Sequence, residues 1–192
     1  MTNSGNTKVT QQRGTNMKRE HIAALVVLAA SIFVVTLTLA AQDRSSVKVP
    51  NGLSFAEFKG YDTWQTIAPS QTPEELKAIL GNAVMIKALK DGIPGNGKPV
   101  PDGALMTKID WLKHSNAVSP YPVEVPNTLK SVSFMVKDSK RFADSGGWGY
   151  AQFTYNLGSD SFTPVGTGSA CGYTCHTRVK ANDFVFTKYA PR

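Results

Sequence analysis

Cysteine and histidine are scarce in this chain of 192 residues, which has two cysteines and three histidines. Two cysteines exclude a fold held together by several disulfides. Acidic residues are also few: the chain has 14 aspartates and glutamates and 21 lysines and arginines. After the apolar segment near the start of the chain, 17 basic residues and 13 acidic residues remain. Because this small excess contains no arginine-rich run and no alternation of basic and aromatic residues, it predicts no nucleic-acid partner. A hydrophobic share of 41% is typical of one compact domain.

An apolar run covers residues 22–41 and follows the basic pair Lys18-Arg19. A secretory signal peptide consists of a positively charged N-terminal region, a hydrophobic region and a cleavage site formed by small residues. Met17 is an alternative start that gives such a signal an ordinary length. Because a run of 20 residues, interrupted only by Ser31, Thr36 and Thr38, also suffices to span a bilayer, an uncleaved anchor in the inner membrane is the alternative. We therefore expect residues 1–41 to be a signal peptide or anchor, and residues 42–192 to form a periplasmic domain.

The exported part carries more strand signals than helix signals. Thr72-Pro73-Glu74-Glu75 has the pattern of a capping box and predicts a helix that ends at Gly81-Asn82. Elsewhere the apolar period is near two, between turns rich in Gly, Pro, Asn and Asp, and residues 92–103 and 115–127 are predicted loops. The predicted strands are residues 83–89, 104–112, 129–136, 148–155 and 183–189. The expected fold class is α+β, a mainly antiparallel β-sheet with a few short helices.

The segment from Cys171 to His176 reads Cys-Gly-Tyr-Thr-Cys-His. Two cysteines closed by an adjacent histidine are typical of covalent haem attachment, in which the thiols bond the haem and the histidine binds its iron. The usual motif has two residues between the cysteines and this one has three, a wider loop for which Gly172 provides conformational freedom. A local disulfide is one alternative. A zinc site is another, although only His114 and His176 follow the apolar run.

Three stretches closely resemble the cytochrome P-460 family: residues 136–143 with the Gly147-Trp148 that follows, residues 102–108, and Cys175-His176 with residues 183–189. The resemblance extends over roughly residues 50–192. It implies a small periplasmic protein with one covalent haem c, a mainly antiparallel sheet close in fold to cytochrome c′-beta, and a homodimer. By this resemblance His176 is the proximal iron ligand and Cys171 and Cys175 are the thioether anchors.

Lys108 matches the lysine that in cytochrome P-460 forms an additional covalent bond to the haem, a bond that cytochrome c′-beta lacks. The resemblance therefore implies an oxidoreductase that oxidises hydroxylamine, or a related small nitrogen oxide, at an open distal iron site and passes electrons to a redox partner cytochrome. One alternative is a five-coordinate haem protein that binds nitric oxide without turnover. Another is an electron carrier in which a methionine becomes a second axial ligand; the candidates are Met85, Met106 and Met135.

The distal side departs from the family pattern at two positions. The family's distal arginine falls near Asn82 and its distal carboxylate falls near Ser133, so neither side chain is retained. Asp102 or Asp110 is the candidate replacement for the proton acceptor. On a strand, Lys108 shares one face with Met106 and Asp110, while Leu105, Thr107, Ile109 and Trp111 share the other.

Overall fold

The computed structural model describes residues 42–49, 53–165 and 169–191, and for residues 169–171 it describes the backbone alone. The predicted export segment of residues 1–41 lies outside these ranges. Within the ranges, no helix has both the length and the apolar character needed to cross a membrane.

A six-stranded antiparallel sheet dominates the described residues. Its strands follow one another in chain order, and each pairs antiparallel with the next. The strands are β1 (Gln65–Gln71), β2 (Glu75–Gly81), β3 (Leu105–Ser115), β4 (Glu124–Lys137), β5 (Trp148–Asn156) and β6 (Ser161–Pro164). The predicted strands at 104–112, 129–136 and 148–155 are therefore confirmed, and the fold class is α+β with a mainly antiparallel sheet.

Helices in the described residues are short. Two α-helices are present, α1 (Ala83–Lys90) and α2 (Ser169–His176). The 3₁₀ helices are Arg44–Ser46, Phe55–Phe58, Tyr61–Thr63, Ala143–Ser145 and Thr177–Asn182. Asn82 caps α1, because its side chain accepts the N–H of Met85 at 3.0 Å. The predicted strand at residues 83–89 is therefore wrong.

The helix predicted from Thr72 is also wrong, because this segment is the turn between β1 and β2. The Thr72 hydroxyl does accept the N–H of Glu75 at 3.2 Å, as in a capping box. The Thr72 N–H, however, donates to the Glu75 carbonyl at 3.0 Å, which closes a hairpin. Pairing of β2 on both edges, with β1 and β3, outweighs the local helix signal.

The two faces of the sheet bury two apolar clusters. On one face, Phe55 and Phe58 from the segment before β1 pack against Phe134 and Phe153. On the other face, α1 and the C-terminal segment cover the sheet. The buried residues there include Met85, Met106, Trp148, Tyr150, Phe184 and Val185.

Strand β3 divides its residues between these faces as the alternation predicts. Leu105, Ile109 and Trp111 belong to the first cluster and Met106 to the second. Lys108 therefore lies on the Met106 side. Residues 183–189 continue along that side without forming the predicted strand.

Candidate functional site

A cavity of about 440 Å³ lies between the Met106 side of the sheet and the C-terminal part of the chain. This volume is within the range of sites for small molecules and prosthetic groups. The sheet contributes Met106, Lys108, Ser133, Met135, Tyr150 and Gln152 to its lining, and the C-terminal part contributes Gly172, Cys175, His176, Val185, Phe186 and Thr187.

Strand register arranges the sheet wall into two rows. Lys108 pairs with Ile79 on one side and with Ser133 on the other, and Ser133 pairs with Gln152, which gives a row with three polar side chains. The neighbouring row runs from Met106 through Met135 to Tyr150 and is mostly apolar. The wall therefore offers a few hydrogen-bonding groups beside an apolar surface, the usual character of a binding site.

Helix α2 reaches this wall because a glycine permits close contact with β5. A Cβ atom at Gly172 would lie 2.4 Å from Cγ of Tyr150 and 2.5 Å from its Cβ. These distances are far below van der Waals contact, so only glycine fits at this position. The close packing brings Cys175 and His176, at the end of α2, to the cavity.

The His176 imidazole is held by a hydrogen bond to the backbone. Its Nδ1 lies 2.7 Å from the carbonyl oxygen of Phe184. Because a carbonyl oxygen only accepts, Nδ1 carries the proton and the lone pair of the ring is on Nε2. The ring is also flanked by Tyr150, at 5.0 Å between centroids, and by Phe186, at 4.9 Å.

The surroundings of His176 favour its neutral form. Burial lowers the pKa of the imidazole, and the positive charge of Lys108 lowers it further, while the bond to the Phe184 carbonyl acts in the opposite direction. The neutral ring is the form that binds a metal. Lys108 lies in a different wall of the cavity from His176.

Lys108 stands between this cavity and a buried carboxylate. Its Nζ lies 3.5 Å from Oδ2 of Asp110, whose side chain is 3% exposed, whereas that of Lys108 is 41% exposed. Asp110 also accepts hydrogen bonds from Lys77 at 2.8 Å and from the Ser131 hydroxyl at 3.0 Å. Lys77 in turn contacts Glu75. The carboxylate is therefore fixed on several sides and limits where the Lys108 ammonium lies.

The structure separates the candidate distal residues. Ser133 lines the cavity, but Asn82 caps α1 and binds the Gly103 carbonyl, outside the described lining. Asp102 accepts hydrogen bonds from the N–H and the hydroxyl of Ser139 at the surface. Asp110 accepts hydrogen bonds from Lys77 and Ser131. The hypothesis that either aspartate serves as the distal proton acceptor gains no geometric support. No aspartate or glutamate occurs in the described lining of the cavity.

Sequence reasoning did not identify Gln152 or the Phe184 carbonyl as parts of this site. Gln152 is recognisable only through its register with Ser133 across β4 and β5. The Phe184 contact involves a backbone atom, which carries no residue-type signal.

The remaining residues predicted from the sequence have different placements. Cys175 is exposed, and the Cys171 side chain lies outside the described atoms. His114 is exposed on β3, away from the described lining. Within the described residues, no group of three or more His, Cys, Asp or Glu side chains is placed to hold a metal ion.

The cavity combines a sheet wall with an imidazole and a thiol in the opposite wall, a composition suited to holding a prosthetic group. The family model Cytochrome P460 matches residues 58–187 of the chain, and the chain therefore belongs to this family. Membership implies a haem cofactor. No curated protein matches the chain.

The described residues fit a haem. The cavity has apolar walls for a porphyrin, contributed by Met106, Met135 and Phe186, and an imidazole whose Nε2 lone pair suits iron. The hydrogen bond from Nδ1 is the outer contact that metal-binding histidines usually make. His176 is accordingly the residue that would hold the iron.

Proposed function

We propose that this protein is an exported mono-haem c-type cytochrome that oxidises hydroxylamine or a related small nitrogen oxide. One observation carries the proposal: Lys108 and His176 line the same cavity, from β3 and from the end of α2. A family member that only held haem would need the histidine, but it would not need a lysine at the cavity.

Attachment of the haem is assigned to α2. His176 is the proposed axial ligand, and Cys171 and Cys175 are the proposed thioether anchors. The exposed thiol of Cys175 lies beside the histidine in the cavity lining. The three residues between the cysteines include Gly172, whose contact with Tyr150 fixes where α2 crosses β5. The position of this helix against the sheet supports the proposal that both cysteines bond the haem despite the wider spacing.

Lys108 is the proposed site of the additional covalent bond to the porphyrin. Its ammonium is near Asp110 on one side and contributes to the cavity lining on the other. Such a bond distorts and fixes the porphyrin, which is one of the means by which a protein tunes haem reactivity.

When bound, haem supplies the redox centre that takes electrons from the substrate. The chain supplies the surroundings. Ser133 and Gln152 offer hydrogen bonds to a small polar ligand from the sheet wall. Met106, Met135 and Phe186 form the apolar part of the lining, against which the porphyrin would pack.

A second candidate function is binding of nitric oxide without turnover. Oxidation of hydroxylamine releases protons, and a positioned acceptor speeds such a step by about 10²- to 10⁴-fold. The described lining contains no carboxylate, and Ser133 is a poor base. This composition favours a site that binds a diatomic ligand, in which no proton is transferred.

Location and partners belong to the same proposal. The apolar run at residues 22–41 after a basic pair supports export to the periplasm, as a secreted or membrane-anchored protein. Hydroxylamine oxidation requires an electron acceptor, and a redox partner cytochrome is the proposed one. A homodimer is proposed from the resemblance.

The test compares turnover with ligand binding in protein matured by a cytochrome c-assembling host. Reduction of a dye acceptor on addition of hydroxylamine, abolished in Lys108→Ala and retained in Lys113→Ala, supports the oxidase. Lys113 is the matched control because it lies on the same strand and pairs with Glu124. Tight nitric oxide binding without dye reduction supports the second candidate. A six-coordinate spectrum in both oxidation states contradicts both and identifies an electron carrier.

A further inference from the structure

Two consecutive residues beside His176 have left-handed backbone conformations. Asp183 has φ of 44° and Phe184 has φ of 62°. Residues other than glycine adopt this region rarely, because it strains their backbone. The strained pair supplies the site contact, because the Phe184 carbonyl is the acceptor for Nδ1 of His176. Such strain persists only where the surroundings hold the chain firmly.

A buried ion pair holds the first of these residues. Nζ of Lys137 lies 2.9 and 3.0 Å from the two carboxylate oxygens of Asp183. The Val100 N–H donates to the same carboxylate at 2.7 Å, and Lys137 also donates to the Gly146 carbonyl at 3.1 Å. The Lys137 side chain is only 5% exposed. The contact joins the end of β4 to the C-terminal segment.

Packing holds the second residue. The Phe184 ring covers Gly146 so closely that a Cβ there would lie 2.2 Å from a ring carbon. The Phe184 N–H donates to the Val179 carbonyl at 3.1 Å. These contacts hold the Phe184 ring, the Phe184 N–H and the preceding Asp183 carboxylate in place. They therefore also fix the direction of the Phe184 carbonyl.

We propose that Lys137 and Asp183 are positioning residues for His176: their ion pair holds the left-handed Asp183–Phe184 segment, whose carbonyl sets the tautomer and ring orientation of the histidine. The inference rests on the proposed function in so far as His176 binds the haem iron. It also gives a role to two stretches of the family resemblance, since Lys137 lies in residues 136–143 and Asp183 begins residues 183–189.

The consequence for the cofactor has a definite sign. A hydrogen bond from Nδ1 makes the imidazole a stronger donor to its metal. A stronger donor favours ferric over ferrous iron and lowers the reduction potential. Loss of the ion pair releases the Phe184 carbonyl, which weakens the hydrogen bond and raises the potential.

The experiment measures the iron–histidine stretching frequency of the ferrous holoprotein by resonance Raman, together with its reduction potential. Asp183→Asn removes the charge at nearly constant shape, and asparagine tolerates the left-handed region. Lys137→Met removes the other charge. Asp160→Asn is the matched control, because Asp160 also has a positive φ, of 43°, and pairs with Arg44 at the exposed surface.

We expect Asp183→Asn and Lys137→Met to lower the stretching frequency and to make the potential more positive, with no change in Asp160→Asn. If a single variant does not fold, the double variant gives the same comparison without a buried unpaired charge. Unchanged frequency and potential in the variants would overturn the inference while leaving the proposed function intact. Absence of any iron–histidine band in the unsubstituted protein, with the same spectrum in His176→Ala, would instead overturn the proposed function.

Discussion

Lys108 and Asp110 lie two residues apart on β3, and the ammonium of Lys108 is 3.5 Å from the carboxylate of Asp110. This carboxylate also accepts a hydrogen bond from Lys77 at 2.8 Å. The pair therefore connects the cavity to a charged network that continues through Glu75 to Lys130.

Removal of the Asp110 carboxylate is predicted to destabilise the fold. Breaking a buried pair costs about 3–5 kcal/mol, because the remaining charge is left without its partner. Lys77 keeps its contact with Glu75, so we expect Asp110→Ala to lose about 3 kcal/mol, the lower end of that range. Urea unfolding measures the loss. Asp160→Asn is the control: it removes the charge from an exposed pair with Arg44 and keeps a residue that tolerates the left-handed backbone at this position. Its expected loss is below about 1 kcal/mol, and equal losses in the two variants would contradict the prediction.

Substitution of Gly172 is predicted to separate α2 from β5. Alanine at a helix position normally stabilises by about 1 kcal/mol relative to glycine. Here the added Cβ would lie 2.4 Å from Tyr150, and overpacking costs about 1–3 kcal/mol. We expect Gly172→Ala to lower the thermal midpoint and the yield of covalent haem. Gly158→Ala, where the nearest atom to the added Cβ is 3.4 Å away, should retain both.

The charged network predicts an acid-dependent part of the stability. Hydrogen bonds from Lys130 and Lys77 lower the pKa of Glu75 from 4.5 to about 2. Because the folded state has the lower pKa, the stabilisation is complete above pH 4.5 and is lost as the pH falls through about 2.

We therefore expect Glu75→Gln to lower the free energy of unfolding at pH 7 by up to about 1 kcal/mol, since Lys130 is half exposed. The difference from the unsubstituted protein should shrink as the pH falls below 4.5. Denaturant unfolding at a series of pH values measures it. A difference that stays constant down to pH 2 would show that this carboxylate is not linked to folding.

A carboxylate introduced at Ser133 is predicted to increase turnover of hydroxylamine. Ser133 pairs with Lys108 across β3 and β4 and lines the cavity, so a glutamate there would supply the missing proton acceptor. We expect Ser133→Glu to raise the rate of acceptor reduction by about 10-fold or more. Thr163→Glu, exposed on β6, controls for added negative charge. A rate unchanged in both variants would indicate that proton removal does not limit the reaction.

How much the sequence predicts depends on whether the signal is local. Strands β3, β4 and β5 follow from alternation, because each has one face on each apolar cluster. The turn at Thr72 has the local contact of a helix start, yet pairing of β2 with two neighbours decides its structure. For α1 the Asn82 cap was present in the sequence, but the apolar run that follows it is equally compatible with a buried strand.

The candidate site likewise contains residues that the sequence identifies and contacts that only the structure shows. Cys175, His176 and Lys108 are identifiable because their residue types and the family resemblance point to them. The contact between Asp183 and Lys137 joins positions 46 residues apart, and the acceptor for His176 is a backbone carbonyl. Neither has a local pattern, so the elements that hold the histidine become visible only in the folded chain.

The most direct test of the whole account is the intact mass and optical spectrum of protein matured in a cytochrome c-assembling host, compared with Lys108→Ala and Lys113→Ala. A haem-sized mass increment that survives denaturation is expected in all three proteins. A strongly red-shifted ferrous Soret band is expected in the unsubstituted protein and in Lys113→Ala, and its loss is expected only in Lys108→Ala. An ordinary high-spin c-type spectrum in all three would contradict the lysine bond, and absence of covalent haem would contradict the account as a whole.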